Sequence, residues 1–267
     1  VTPTLDWVRT YARDAEQTPG LQGEFRVKVC SEWLHSASSW LSMTAWNGCA
    51  DRSLTIESFS KAKCWIGCDL ASRDDLAAVA YLFERDGLLV AFVRCYLPEL
   101  IVNERARHIP EYRLWAESGQ LVLTDGDMTD HNRIERDIRA ACKDFSVLDI
   151  CFDQYGSIQI SGALANDGLP ARVEAKNVKT FTGPATELEA RITRGKFRHD
   201  GGSLLTWAAS NCVVSRRTDD SLLPKKATAE SPHKIDPIDA LCLAIGGWLR
   251  QPRPKASVYE SRGVLMV

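Results

Sequence analysis

Apolar residues along the chain follow two rhythms. Short continuous apolar runs closed by polar turns, the mark of buried strands, begin at Cys64-Trp65-Ile66-Gly67-Cys68-Asp69-Leu70 and continue at Leu76 to Phe83 and Leu88 to Tyr96. The last two are joined by Glu84-Arg85-Asp86-Gly87, whose Asp-Gly is a hairpin signal, so three adjacent antiparallel strands are expected. Further runs predict strands at Gln120 to Leu123, Val147 to Phe152 and Ala171 to Glu174, and a late ribbon from Val213-Val214 and Leu222-Leu223 around the polar tip Arg216 to Asp220. The second rhythm is helical. It predicts helices at Pro98 to Ala106, Pro110 to Glu117, His131 to Phe145, Gly156 to Asn166, Gly183 to Arg194 and Ser203 to Ala209. A last helix opens at Asp236-Pro237, carries Ile238, Leu241, Cys242, Ile245, Trp248 and Leu249 on one face, and ends before Pro252 and Pro254. An antiparallel meander followed by alternating strands and helices is an α/β chain.

The first sixty residues read differently. Leu5, Val8, Tyr11 and Ala12 stand at helical spacing, and the stretch from Trp33 to Trp46 is broken by Ser36, Ser38 and Ser39. This predicts an adaptor at 1–60 ahead of a main domain at 61–255, with a tail at 256–267. A chain that opens Val-Thr-Pro is expected to be a piece of something longer.

Composition narrows the class. At 267 residues, 45% hydrophobic and 25% charged, the chain can bury a sizeable core, and it has no run of eighteen or more apolar residues and no secretory leader. A soluble protein without a membrane partner is expected. The nine cysteines are an odd number scattered through apolar runs, as at Cys64, Cys68, Cys142, Cys151 and Cys242, and read as reduced core thiols. No Cys-x-x-Cys pair offers a zinc site. The net charge of -2 hides an uneven distribution. Arg172 to Lys234 holds twelve Lys or Arg against seven Asp or Glu, so the later part of the chain is basic enough to face a phosphate backbone, or simply to be a solvated surface.

Three aspartates end or begin apolar elements: Asp69, Asp153 and Asp236. If the first two strands are neighbours in one sheet, both carboxylates leave at one edge, and a helix packed on that sheet can bring the third. Hard divalent cations such as Mg²⁺ or Mn²⁺ take oxygen ligands of this kind. Two such ions about 4 Å apart would clamp a scissile phosphate. Each acid also has a plain structural reading: Asp69 as a turn start, Asp153 as a helix cap, and Asp236 as a cap before Pro237 with Asp239 three residues on. Asp74 and Asp75 follow across a turn, and His199 and His233 lie in the basic part, all with weaker claims. Gly-x-Ser-x-Gly and the Gly-x-x-x-x-Gly-Lys-Ser/Thr phosphate loop are missing, so neither serine hydrolysis nor ATP hydrolysis is expected of this chain.

Several ordered blocks resemble the nuclease domain of large terminase subunits of tailed bacteriophages and prophages. They are Trp65 to Ser72 followed by Asp75 to Val79, Phe152-Asp153-Gln154-Tyr155, Thr186 to Glu189, Gly195 to His199, Trp207 to Asn211, and Lys234 to Leu241. The segment Glu32 to Ala50 resembles the connector between motor and nuclease in that family. Gln154-Tyr155-Gly156 departs from the commonest wording. The resemblance implies an RNase H-like mixed sheet flanked by helices and a metal-dependent endonuclease that cuts concatemeric viral DNA during packaging in the host bacterial cytoplasm. It implies Asp69, Asp153 and Asp236 as catalytic metal ligands for two Mg²⁺ or Mn²⁺ ions, with Asp75 and Asp239 as helpers. Double-stranded DNA would be held by Lys196, Arg198, Arg216, Arg217, Lys225 and Lys226. The implied partners are the amino-terminal ATPase domain, the small terminase subunit and the portal protein. A resolvase or recombinase of the same fold, or a docking module of the packaging motor that cuts nothing, are the alternatives.

Overall fold

The computed structural model describes residues 4–17, 25, 29, 39–70, 75–216, 221–228, 231 and 233–251. Its centre is a mixed sheet built on the strand β1 (Lys63–Asp69), whose residues Cys64 to Cys68 are all buried. A run with no alternation is what a strand covered on both faces requires. β2 (Ala77–Arg85) and β3 (Leu88–Pro98) complete the antiparallel meander through the Asp86-Gly87 turn, where both residues take positive φ. On the other side, β5 (Ser146–Asp153) lies parallel to β1, and β6 (Ala171–Glu174) lies parallel to β5. The strand order is β4-β3-β2-β1-β5-β6, with β4 at Leu121–Thr124.

One strand escaped the sequence reading. β7 (Phe197–His199) pairs in parallel with Leu89 to Ala91 of β3, while β4 pairs with Cys95 to Pro98 on the same edge of that strand. Three residues are too few to show a period, and their partner lies more than a hundred residues away in the chain.

Helices cover both faces. After α1 (Leu5–Gln17) and α2 (Met43–Gly48), α3 (Glu99–Arg105) and α4 (Glu111–Glu117) bridge β3 and β4. α5 (His131–Asp144) and α6 (Ile158–Asn166) pack with Ile134, Ile138, Ile160 and Leu164 against Cys64, Ile66 and Cys68 of β1. The opposite face carries α7 (Val178–Thr193), α8 (Ser203–Asn211) and α9 (Asp236–Arg250) in a second core that includes Trp65. A two-stranded ribbon, β8 (Val213–Arg216) with β9 (Leu222–Lys225), lies beside α7. α7 starts earlier than expected. The apolar spacing predicts a start at Gly183, but Asn177 caps the helix in a capping box with Thr180, and Pro184 sits inside it. The described cysteines are free thiols. Residues 39–60, expected to be adaptor, pack into the core: Trp40, Leu41 and Trp46 join the α9 side, and Phe59 joins the α5 side. Among the described residues, no helix is long and apolar enough to cross a membrane.

Candidate active site

β1 and β5 run parallel with Cys68 opposite Phe152, so the next residues, Asp69 and Asp153, leave the sheet side by side at one edge. α9 crosses β1 at very close range. A Cβ on Gly67 would lie 2.0 Å from the Ala240 carbonyl oxygen and 2.5 Å from the Ala244 nitrogen, so only glycine lets the helix seat this deep. That seating carries the first turn of α9, with Asp236 and Asp239, to the edge where Asp69 and Asp153 emerge.

The structural readings of these acids can be tested against the caps. Asp236 is already inside α9, the cap position belongs to Ile235, and no side chain caps the helix. Asp153 does not cap α6 either; the cap residue is Ser157, whose hydroxyl donates to the Asp153 main-chain carbonyl. Neither carboxylate is spent on a helix start.

Asp69, Asp75, Asp153, Asp236 and Asp239 line one cleft of about 550 Å³, together with Lys176, Lys225, Lys226 and the exposed ring of Tyr155. Lysines reach two of the five acids. Asp75 receives Lys234, and Lys226 stands 3.6 Å from it. Asp239 receives Lys176. In contrast, one buried oxygen of Asp153 and one of Asp236 have no hydrogen-bond partner among the described residues, and the same holds for the second oxygen of Asp239. Buried carboxylate oxygens without donors are costly and uncommon, and they match the hard oxygen set that a divalent cation takes. Among the described residues, no three His, Cys, Asp or Glu side chains are already drawn into a ready-made cage.

The proton affinities set Asp75 apart from Asp69, Asp236 and Asp239. Burial pushes the Asp69 carboxyl well above its usual range, and Asp236 and Asp239 push it further, with Lys176 partly offsetting them. Asp236 is pushed up to about 6 by burial and then by the charges of Asp75 and Asp239. Asp239 is raised by burial against the opposing pull of Lys176. Asp75 goes the other way: burial would raise it, but the Lys234 hydrogen bond and charge, with Lys226 and Arg105, hold it down. Titratable groups displaced by burial and by one another gather at functional clefts more often than elsewhere.

Other residues singled out from the sequence lie elsewhere. Lys196 and Arg198 belong to the β7 end of the sheet, which pairs with the start of β3, whereas the acids stand level with its end. Arg198 donates to the carbonyls of Gly195 and Phe197. His199 is fully buried and stacked on Trp46, and His233 packs edge-on to Trp207. Arg216 ends β8, while Arg217 and Asp74 lie outside the described residues. Lys176 went unnoticed in the sequence because its partner is 63 positions away.

The model of a family described as the terminase large subunit, endonuclease domain, matches residues 6–251. The chain belongs to that family. It is 31% identical over 263 residues to Protein YmfN of Escherichia coli strain K12, covering 94% of this chain and 56% of that protein. The domain therefore spans little more than half the length of that relative. The large terminase of bacteriophage HK97 superposes with a TM-score of 0.69 at 23% identity, over 91% of this chain and 50% of that one. The large terminase of the thermophilic bacteriophage D6E gives 0.50 at 9% identity, over 93% and 53%. These likenesses show a shared fold, and the helix-flanked mixed sheet is the RNase H-like arrangement expected of the terminase nuclease domain.

Proposed function

We propose that this terminase nuclease domain is a metal-dependent DNA endonuclease that cuts concatemeric viral DNA during genome packaging in the host cytoplasm. The observation that carries the reading is the set of buried, unpartnered carboxylate oxygens brought from β5 and α9 to one lysine-rimmed cleft beside Asp69. Asp69, Asp153 and Asp236 would hold two Mg²⁺ or Mn²⁺ ions, with Asp75 and Asp239 as supporting acids. Bound there, the ions would supply a hydroxide-like water and stabilise the leaving oxygen of a phosphodiester.

The chain's own part is positioning. Lys225 and Lys226, at the cleft rim on and beside β9, would hold backbone phosphates, and Arg216 belongs to the same ribbon. Phosphate contacts orient a duplex without reading bases, so little sequence preference follows. Lys196 and Arg198 would meet only DNA that passes the opposite end of the sheet. In the longer protein, residues 1–60 would lead from an ATPase motor into the nuclease, with 39–60 packed on the nuclease core, 61–255 would form the rest of the nuclease and 256–267 a tail. The motor, the small terminase subunit and the portal would be its partners.

The test is incubation of supercoiled plasmid with the purified chain and Mn²⁺ or Mg²⁺, beside Asp69→Ala, Asp153→Ala and Asp236→Ala. Wild type should nick and linearise the plasmid, and each variant should lose activity by about 100-fold or more, the scale set by losing a metal-held nucleophile. Equal cleavage by wild type and the three variants removes the assignment.

A further inference from the structure

Asp239 is the acid of the cleft whose buried carboxylate already faces a cation. Lys176 follows β6 by two residues and precedes Asn177, the cap of α7, so its backbone is fixed on both sides. Glu174 pairs across to Asp153, and the Asn177–Thr180 capping box closes the helix start. From that anchor the ammonium reaches one oxygen of Asp239, while the other oxygen has no partner. The pair is largely withdrawn from solvent, with side-chain exposures of 28% for Lys176 and 5% for Asp239.

A lysine ammonium is a compact charge on a flexible stem, unlike the planar fork of arginine. Here the stem has somewhere to go. Lys176 lines the acid cleft and also a second, open cleft of about 750 Å³ bordered by Asn177, Lys179, Thr182, Ser221 and Leu223. Its stem stands between the two clefts, so side-chain rotation alone would suffice to carry the charge from one to the other.

We propose that Lys176 is a resident counter-ion of the acid cleft: its ammonium occupies Asp239 until a divalent cation takes that carboxylate, and then swings into the neighbouring cleft beside Lys179. The proposal rests on the metal-dependent reading above. It has two consequences. Lys176 competes with the metal, so it lowers metal affinity while offsetting the buried charge of Asp239 in the metal-free fold. Metal loading also delivers an extra positive charge to a basic cleft next to the acids, where it favours an anionic substrate over the empty enzyme.

Binding of Mn²⁺ to the whole chain, followed by the electron paramagnetic resonance of free Mn²⁺, tests this in wild type, Lys176→Gln, Asp239→Asn and the double variant. Lys176→Gln should bind Mn²⁺ roughly tenfold more tightly, the scale expected when a competing charge is removed at short range. Its melting temperature should fall without metal and return to the wild-type value at saturating Mn²⁺. In the Asp239→Asn background the same substitution should bring no gain, because there is no longer a carboxylate to compete for.

An unchanged or weaker affinity in Lys176→Gln overturns the proposal. So does an equal gain in both backgrounds, which would reduce Lys176 to a general field. A variant that loses the same stability with and without Mn²⁺, or fails to fold in both, makes Lys176 a structural residue and also overturns it. If wild type and every variant bind no Mn²⁺, the metal-dependent function fails as well; if wild type binds and Lys176→Gln does not differ, only the counter-ion role fails.

Discussion

His199, at one end of the central sheet, and the acids at the other are buried polar groups in opposite states. At the β7 end, His199 is completely buried and fully used: Nε2 donates to the Trp46 carbonyl at 3.1 Å, Nδ1 accepts from the Gly201 amide at 3.2 Å, and the ring stacks on Trp46 at 4.6 Å. At the other end, Asp153, Asp236 and Asp239 keep buried oxygens that no donor among the described residues reaches. A buried polar group that is satisfied holds a fold together. Buried groups without a partner among the described residues also occur away from the acids, as at Trp65 Nε1 level with the β7 end, but the carboxylate oxygens among them gather at the acid end.

The sharpest way to break the contrast is to lift α9 off β1. Gly67→Ala places a methyl group where the Ala240 carbonyl now stands, so the helix must move. Destabilisation by about 3 kcal/mol or more is expected, at the upper range for overpacking against backbone. Because α9 carries Asp236 and Asp239 to the edge of β1, the residual folded protein should also lose Mn²⁺ affinity. Chemical denaturation and a metal titration check both effects, and a Gly67→Ala protein of wild-type stability would show that the helix is not seated as described.

His199→Ala strikes the satisfied end. It removes a stacked ring and two hydrogen bonds, and leaves the Trp46 carbonyl without its donor. A loss of about 2–3 kcal/mol is expected from the cavity and the broken bonds. Plasmid cleavage per folded molecule should not change, since the acids lie at the far end. A variant of normal stability that cuts poorly would reverse the division of roles between the two ends.

The acid end was largely legible in the sequence, and the histidine end was not. Asp69 and Asp153 show because each terminates a continuous apolar run, and strand ends on neighbouring parallel strands must emerge together. Asp236 shows as the start of an apolar-faced helix, although Asp-Pro also suggested a cap that the structure does not use. The lysines that hold Asp75 and Asp239 stay hidden because an ion pair across tens of residues leaves no period in the chain. β7 is hidden by its length, and the segment around Trp40 and Trp46 by its serines, which read as irregular until Trp46 is seen under His199. The basic excess after Arg172 was real, but it is divided in space: Lys176, Lys225 and Lys226 line the acid cleft, while Lys196 and Arg198 belong to the other end.

The smallest expected effect separates the two ends by pH. The unfolded chain releases its aspartate protons near pH 4, whereas native Asp236 keeps its proton until about 6, and Asp69 and Asp239 are displaced upward too. Between those values the native state binds more protons than the unfolded one, so the stability of the metal-free protein falls as pH rises from 4 through 6. Asp236 accounts for on the order of 2 kcal/mol of that loss. His199 has the opposite slope: burial lowers its proton affinity, the unfolded histidine charges below about 6.5, and stability therefore falls as pH drops. Denaturant titrations in the presence of a chelator should show Asp236→Asn gaining stability at pH 7 relative to wild type and gaining little at pH 4. Saturating Mn²⁺ should flatten the wild-type profile in the same window, because the metal takes over from the proton. An Asp236→Asn profile parallel to wild type would mean that the acid end is not strained by its own charge, and the contrast between the two ends would then rest on hydrogen-bond geometry alone.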